Sequence, residues 1–209
     1  MKDTETITES IDVKELKTKA FITDLLAGID RDNKIEDIVA YIIKEVGLFT
    51  HSDMVCIYKP CKEHGKVSML HKWKADNSSV KDDIIRDISE FDRDDRIESL
   101  KSNRTMVVED RENIRDSMPI EYERMVKCGI HTLFIIPLFS KHKMMSCLCL
   151  LEPKLTEFSL SESAWLYLGQ EIDRLYNQEI INRKHLLFME GIRSSNLSEF
   201  LVDYTKKRY

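Results

Sequence analysis

Two apolar segments near residue 140 constrain the fold of this chain more than any other feature. In His131–Phe139 (HTLFIIPLF) and Met144–Leu151 (MMSCLCLL), both alternating sets of side chains are largely apolar. A strand with this pattern is covered on both faces, because an exposed face would carry polar residues at every second position. The intervening SKHK predicts a tight turn. The sequence therefore predicts two central strands of a sheet that lies between two layers.

An earlier hairpin is predicted by Asp53–Lys59 (DMVCIYK) and Lys66–Trp73 (KVSMLHKW). In the second of these strands, His71 and Trp73 fall on one face, together with the other odd-numbered positions. Thr105–Glu109 predicts a further short strand. These segments add three strands to the two central ones.

Two helices are predicted before the first hairpin. Residues 13–29 place apolar side chains on one side at helical spacing. Asn33 is a candidate cap for a second helix, with Glu36 three residues later in a capping-box pattern. We expect Gly47 to end that helix.

Two more helices are predicted in the second half of the chain. Pro119 and Gly129 bracket the first of them. Ser159 with Glu162 predicts a capping box that opens a long helix reaching about Met189. The order of helices and hairpins predicts an α+β fold with a mostly antiparallel sheet of about five or six strands.

Charge and cysteine content argue against some classes of function. The net charge is -5, which argues against nucleic-acid binding. Between Asp76 and Arg124 there are 15 acidic and 9 basic residues, so the acidity belongs to one central connection. The five cysteines include no CxxC pair, and no segment resembles a signal peptide or a membrane span. We therefore expect a cytoplasmic protein with reduced thiols, without a metal or cofactor.

In this order of elements the chain resembles a GAF domain. The resemblance lies in IEDIVAYIIKEVG before DMVCIYK, in VVED at 107–110, in YERMVKCGIHTLFIIPLF, and in the closing CLCLLEP and FSLSESAWLYLGQEI. It implies a GAF domain over 20–182, with helical extensions at 1–19 and 183–209. GIHTLFIIPLFSKHK is similar, more narrowly, to GAF modules that precede GGDEF or EAL domains in bacterial cyclic-di-GMP signalling proteins.

The resemblance implies that the terminal helices pack on one sheet face and that a ligand pocket lies on the other, roofed by the acidic connection and the helix before Gly129. A Trp at a strand end more often packs in the core, and an acidic pair at a strand end more often caps a turn. The pocket residues implied by the resemblance are His71, Trp73, Glu109, Asp110, His131 and Leu133.

The resemblance also implies a parallel homodimer formed by the terminal helices. The 3-4-3 spacing of apolar residues from Trp165 to Leu175 is typical of a helix-packing seam, although the same residues could cover their own sheet. We expect the dimer interface to include five residues of the long helix: Leu168, Ile172, Leu175, Leu186 and Met189.

The leading functional interpretation is a non-catalytic sensory domain that binds an unknown small ligand or a partner. A GGDEF or EAL output domain would lie in the same or another chain, and neither nucleic acid nor a membrane is expected as a partner. One alternative is a thiol-dependent redox enzyme of the free methionine sulfoxide reductase type, with Cys61 and Cys128 as the reactive thiols. Another is a degenerate GAF scaffold whose pocket is filled by side chains.

Overall fold

The structure is a computed structural model and describes residues 2–60, 67–81, 104–140 and 143–206. Within these ranges there are four α-helices, five β-strands and one short 3-10 helix. In chain order the elements are α1 (Lys2–Ala27), α2 (Ile35–Thr50), β1 (Met54–Pro60), β2 (Val67–Lys74), β3 (Met106–Val108), the 3-10 helix (Arg111–Ile114), α3 (Pro119–Cys128), β4 (Leu133–Ser140), β5 (Lys143–Leu151) and α4 (Glu162–Lys206).

The five strands form one sheet in the order β2-β1-β5-β4-β3, and every neighbouring pair is antiparallel. The two hairpins predicted from the sequence are present, and β1 joins them by pairing with β5. The apolar strands β4 and β5 lie inside the sheet, as their two-sided apolar pattern predicts. The α+β prediction with about five or six strands is confirmed.

One face of the sheet is covered by helices. Trp165 of α4 packs edge-on against Phe134 of β4, with 5.6 Å between the ring centroids. The indole nitrogen of Trp165 donates a hydrogen bond of 2.7 Å to the Ser159 carbonyl, so this buried polar group has a partner. α1 packs beside α2 through the stacked rings of Phe21 and Phe49. We call this surface the helix face.

Gly47 lies inside α2 and does not end it, contrary to the sequence prediction. The helix continues to Thr50, and His51 ends it in the left-handed conformation. A Cβ atom at position 47 would lie 2.1 Å from the Trp73 ring, so glycine allows the indole to approach the helix backbone. The predicted Asn33 cap is also wrong, because Lys34 occupies the N-cap position without a side-chain hydrogen bond.

The capping box predicted for Ser159 and Glu162 does not form. The Ser159 hydroxyl accepts a hydrogen bond from the Ser161 backbone N–H, at 3.1 Å. The Glu162 carboxylate instead accepts one from the Thr105 backbone N–H, at 3.3 Å. This contact joins the start of α4 to the residue before β3, and α4 runs past the predicted Met189 to Lys206.

Two residues predicted for the dimer interface are buried within the chain. Leu168 and Ile172 are both 0% exposed. Gly169, between them, lies against Leu138 and the Pro137 carbonyl of β4. Their assignment to the dimer interface is therefore wrong, since they cover the sheet of their own chain.

Contacts divide the chain into two compact units, Met1–Asp173 and Arg174–Tyr209. The first contains the sheet, and the second contains the C-terminal part of α4. The predicted boundaries after residues 19 and 182 remain predictions. None of the helices in the described ranges is both long and apolar enough to cross a membrane.

Candidate functional site

The second face of the sheet, opposite the helix face, is covered by short elements and connections. We call it the roofed face. Its floor and roof form one buried apolar cluster. The floor consists of Met54, Cys56, Tyr58, Val108, Leu133, Ile135, Cys147, Cys149 and Leu151, and the roof of Val80, Ile114, Met125, Cys128 and Ile130.

This cluster is rich in sulfur. Cys147 and Cys149 follow each other on β5 with 3.8 Å between their sulfur atoms, and Cys56 of β1 pairs with Cys149 in register. The sequence interpretation of these three cysteines as core residues is confirmed. Sulfur-containing side chains are polarisable, and methionine is also flexible, so they adapt to a partner of irregular shape. The methionines packed around the cluster are Met69, Met106, Met118 and Met144.

Two thiols of this cluster, those of Cys149 and Cys128, are poor nucleophiles. Contact with Cys147, followed by burial, raises the pKa of Cys149 well above the usual thiol range. Burial raises the pKa of Cys128 as well. Because the thiolate is the reactive form, protonated and buried thiols are unsuited to catalysis. The prediction of Cys128 as an exposed reactive thiol is wrong, and Cys61 lies outside the described residues.

Tyr58 is a polar residue of the floor that no sequence motif indicated. Its side chain is 2% exposed, and its hydroxyl oxygen has no hydrogen bond of good geometry among the described residues. The Cys56 thiol lies close enough to be a weak partner. Burial raises the pKa of Tyr58, and the nearby Cys56, Cys149 and Cys147 thiols raise it further, so the phenol stays protonated. A buried polar group without a partner costs about 1–3 kcal/mol. The alternation of β1 could have placed Tyr58 on this face, but no sequence signal shows that its hydroxyl lacks a partner.

The inner side of α3 forms part of the roof. Glu121, Met125 and Cys128 are buried at helical spacing on this side. The Glu121 carboxylate lies 3.6 Å from the Arg124 guanidinium in a largely buried ion pair. The roof therefore introduces a charge that is already compensated.

Tyr122 connects α3 to the 3-10 helix. Its ring packs against the buried cluster, and its hydroxyl accepts a hydrogen bond of 2.7 Å from the Arg115 guanidinium. Arg115 also contacts the Glu112 carboxylate and lies over the Tyr122 ring. These contacts attach the outer side of the roof to the segment that follows β3.

Of the residues predicted to bind ligand, the structure places Leu133 in the roofed cluster. Glu109, Asp110 and His131 are exposed and lie at the end of the sheet, where β3 ends and β4 begins. Asp110 caps the 3-10 helix by accepting a hydrogen bond of 2.9 Å from the Glu112 backbone N–H. This agrees with the alternative that the acidic pair caps a turn. A role in ligand binding remains a prediction for all four residues.

His71 and Trp73 lie on the helix face, so their predicted position in the pocket is wrong. The Trp73 ring packs against Gly47 of α2. His71 shares this side of β2, where burial lowers its pKa and Glu36 of α2 partly opposes that shift. The predicted alternation of β2 is broken between Met69 and His71, where the register against β1 shifts, so that Met69 packs on the roofed cluster. Alternation also does not show which side of the sheet the helices cover.

The acidic connection that was predicted to roof the pocket falls mostly on residues 82–103, which lie outside the described residues. In the ranges that the structure does describe, no three His, Cys, Asp or Glu side chains are arranged to hold a metal ion. The described part of the roofed face is therefore a buried apolar cluster that contains four cysteines and the Tyr58 phenol.

No family model matches this chain, and no curated protein matches it. Solved structures do match. One is a phycoerythrobilin-bound GAF domain from a cyanobacterial phytochrome, with a TM-score of 0.59 and 16% identity over 80% of this chain and 98% of that one. A second is the phycocyanobilin-bound GAF domain of a cyanobacterial phytochrome, with a TM-score of 0.53 and 17% identity over 81% and 96% of the two chains.

A third match is the red-light-absorbing state of a red/green cyanobacteriochrome. Its TM-score is 0.55, with 18% identity over 70% of this chain and 96% of that one. All three matches span nearly the whole length of the solved domain and most of the present chain. The architecture is therefore that of a GAF domain, which confirms the fold implied by the sequence resemblance.

Proposed function

We propose that this chain is a non-catalytic sensory domain that binds a small molecule at the roofed face. The observation that carries the proposal is Tyr58, whose buried hydroxyl has no strong hydrogen-bond partner among the described residues and lies in a cluster of adaptable sulfur side chains. A bound molecule could supply the missing hydrogen bond and so offset the cost of burying the phenol. The raised pKa values of Cys149 and Cys128 support a binding role over a catalytic one.

The fold comparison supports the same proposal. Two of the matching GAF domains are described as bound to phycoerythrobilin and to phycocyanobilin. These two bilins are therefore suitable first probes for the present chain, and because each carries two propionate groups they also test whether a charged molecule is accepted. A broader library of uncharged aromatic metabolites tests whether another molecule is preferred.

The experiment combines thermal unfolding of the purified protein with visible absorption spectra of the added bilins. A ligand that binds only the folded state at 100 times its Kd stabilises that state by about 2.7 kcal/mol. We expect a rise in the melting temperature with at least one compound. If no compound changes the melting temperature or its own spectrum, the chain is better described as a scaffold with a filled pocket.

We also propose that the chain forms a homodimer through the C-terminal part of α4. Leu186 and Met189 are 64% and 40% exposed, so both are accessible to a second copy of this helix. Burying such side chains would favour association. With Leu175 they are the remaining members of the predicted interface.

Sedimentation of the double variant Leu186→Glu and Met189→Glu tests this interface. We expect the wild type to sediment as a dimer and this variant as a monomer. The matched control, Ile181→Glu with Phe188→Glu, places the charges on another side of the same helix and should preserve the dimer. A monomeric wild type, or dissociation by the control pair alone, would contradict the predicted interface.

A finer proposal couples this domain to cyclic-di-GMP signalling. It is supported by the similarity of GIHTLFIIPLFSKHK to GAF modules that precede GGDEF or EAL domains. The coding sequence around this chain, and that of the proteins that co-purify with it, should contain a GGDEF or EAL domain. Purified protein containing that domain should form or hydrolyse cyclic-di-GMP at a rate that changes when the roofed face is occupied.

A further inference from the structure

We infer that the Tyr58 hydroxyl donates a hydrogen bond to a carbonyl oxygen of an uncharged, flat, conjugated ligand. This inference rests on the proposed function and adds the chemistry of the ligand. It also assigns Tyr58 as a specificity-determining residue. Three properties of the roofed face support it. The phenol can act as a hydrogen-bond donor, the charged groups nearby are already paired, and methionine side chains lie around the phenol.

The neighbours of the phenol indicate that its hydroxyl acts as a hydrogen-bond donor to the ligand. Tyr58 pairs in register with Cys147, and the adjacent pair on the same face is Cys56 with Cys149. The phenol is therefore surrounded by thiols, which are weak hydrogen-bond partners. A neutral phenol has one strong donor, its O–H group. A carbonyl oxygen is a strong acceptor and satisfies that donor.

The charges near the site favour an uncharged ligand. The raised pKa of Cys149 keeps this thiol of the floor uncharged, and the roof ion pair joins Glu121 to Arg124. The Lys74 ammonium group donates a hydrogen bond of 2.7 Å to the Val80 carbonyl. Among the described residues these charged groups already have partners, so a charged group entering the cluster would lose its hydration without gaining a counterion from them, which is strongly unfavourable.

The side chains around Tyr58 favour a flat conjugated shape. Met69 of β2 pairs in register with Tyr58, and Met125 lies in the roof above the same cluster. Contacts between methionine sulfur and an aromatic edge are worth about 0.3–1.5 kcal/mol each. Flexible thioether side chains can repack around a thin molecule at little cost, whereas branched side chains would resist it.

Substitution of the hydroxyl should act in opposite directions on the free and bound protein. Tyr58→Phe removes a buried hydroxyl that has no strong hydrogen-bond partner among the described residues, so the unliganded protein should keep or gain thermal stability. The same substitution removes the donor to the ligand carbonyl, so binding should weaken. If Tyr58 served only to pack the core, the substitution would not change thermal stability and ligand affinity in opposite directions.

Nile red is a suitable probe because it is uncharged, flat and conjugated, and its ring carbonyl makes its emission sensitive to hydrogen bonding. Fluorescence titration of the full chain gives both affinity and emission wavelength. We expect Tyr58→Phe to bind roughly 2- to 13-fold more weakly than the wild type, the range that corresponds to one neutral hydrogen bond. Its bound emission should shift to shorter wavelength. The control Tyr167→Phe alters a tyrosine that is 50% exposed on α4 and should match the wild type.

Several outcomes would overturn the inference. Equal affinity and equal emission in the wild type and Tyr58→Phe would remove Tyr58 from ligand recognition, while the bilin and metabolite screen could still support the proposed function. A Tyr58→Phe protein that unfolds or loses stability would show that the hydroxyl has a partner in the free protein. Absence of Nile red binding to the wild type would contradict the ligand chemistry, and the separate screen would still decide whether any ligand binds.

Discussion

The two faces of the sheet are packed with different types of side chain. The helix face is packed with aromatic rings, and Phe134, Phe158 and Trp165 contact one another at centroid distances of 5.4–6.0 Å. The roofed face combines aliphatic side chains with four cysteines and several methionines. The buried indole nitrogen of Trp165 has a carbonyl partner, whereas the buried hydroxyl of Tyr58 has none among the described residues.

This difference indicates that the two faces of the sheet have different roles, one in stability and the other in ligand binding. Aromatic packing with satisfied polar groups favours a single, stable arrangement. Sulfur side chains tolerate repacking, and the Tyr58 hydroxyl has no strong hydrogen-bond partner among the described residues. We therefore expect substitutions on the helix face to change mainly stability, and those on the roofed face to change mainly ligand response.

The largest effect should come from Trp165→Ala on the helix face. Trp165 is fully buried, and removal of such a side chain typically costs about 3–5 kcal/mol. Urea unfolding of the variant measures the loss. Tyr167→Ala, two residues away and half exposed, is the control and should cost far less. A similar small loss for both variants would remove the basis for calling the helix face the stable one.

The close approach of Trp73 to α2 predicts the next effect. Gly47→Ala places a methyl group where the indole ring lies, and overpacking of this kind typically costs about 1–3 kcal/mol. Gly191→Ala is a matched control, because a Cβ atom there meets nothing within 4 Å. In the control, alanine should be neutral or stabilising by up to about 1 kcal/mol, as its helix propensity predicts. Thermal unfolding of both variants measures the change in melting temperature that each substitution causes. Equal changes would contradict the tight contact between Trp73 and α2.

Alkaline pH should weaken the roofed face. Folding raises the pKa of Cys149 and Cys128 above the ordinary thiol value of 9.0. Their contribution to stability is therefore complete below that value and declines as the pH rises above it, because the unfolded thiols ionise first. The decline for one thiol is at most about 1.4 kcal/mol per pH unit.

Urea unfolding from about pH 7 to pH 10 measures this dependence. Cys149→Ala should show a shallower decline than the wild type, since one of the raised pKa values is removed. At about pH 7 the variant should differ from the wild type only by a constant packing loss. Parallel curves over the whole range would argue that burial of this thiol does not shape the pH dependence.

The smallest effect should come from a volume-conserving change in the roof. Met125→Leu should cost less than about 1.5 kcal/mol, because it retains the volume and apolar character of the side chain. Phe134→Leu on the helix face should cost more, since it removes ring contacts with Trp165 and Phe158. Comparison of the two unfolding free energies tests whether the roofed face is the more tolerant one.

Periodicity was sufficient to predict much of the fold. The two-sided apolar pattern of β4 and β5 identified the inner strands, because a strand buried on both faces carries apolar side chains at nearly every position. Gly47 was misread because glycine ends a helix and also permits a close approach, and the sequence does not distinguish these uses. The Trp73 contact that distinguishes them comes from a strand outside α2.

The candidate site was less predictable than the fold. His71 and Trp73 were assigned to the wrong side because alternation defines two faces without naming their coverings. Tyr58 was overlooked because its importance lies in a missing hydrogen bond, which depends on every atom around it. Leu133 was placed correctly, since it belongs to a strand whose two faces are both buried.

The hydrogen bond from the Ser159 backbone N–H to the Thr18 hydroxyl has a consequence for the order of folding. It joins two residues 141 positions apart, at 2.9 Å in a buried position. At about 5–20 residues per second, a ribosome needs roughly 7–28 s to synthesise the chain between them. α1 must therefore wait for nearly the whole domain before it reaches this partner, and we expect its docking to be among the last events of synthesis.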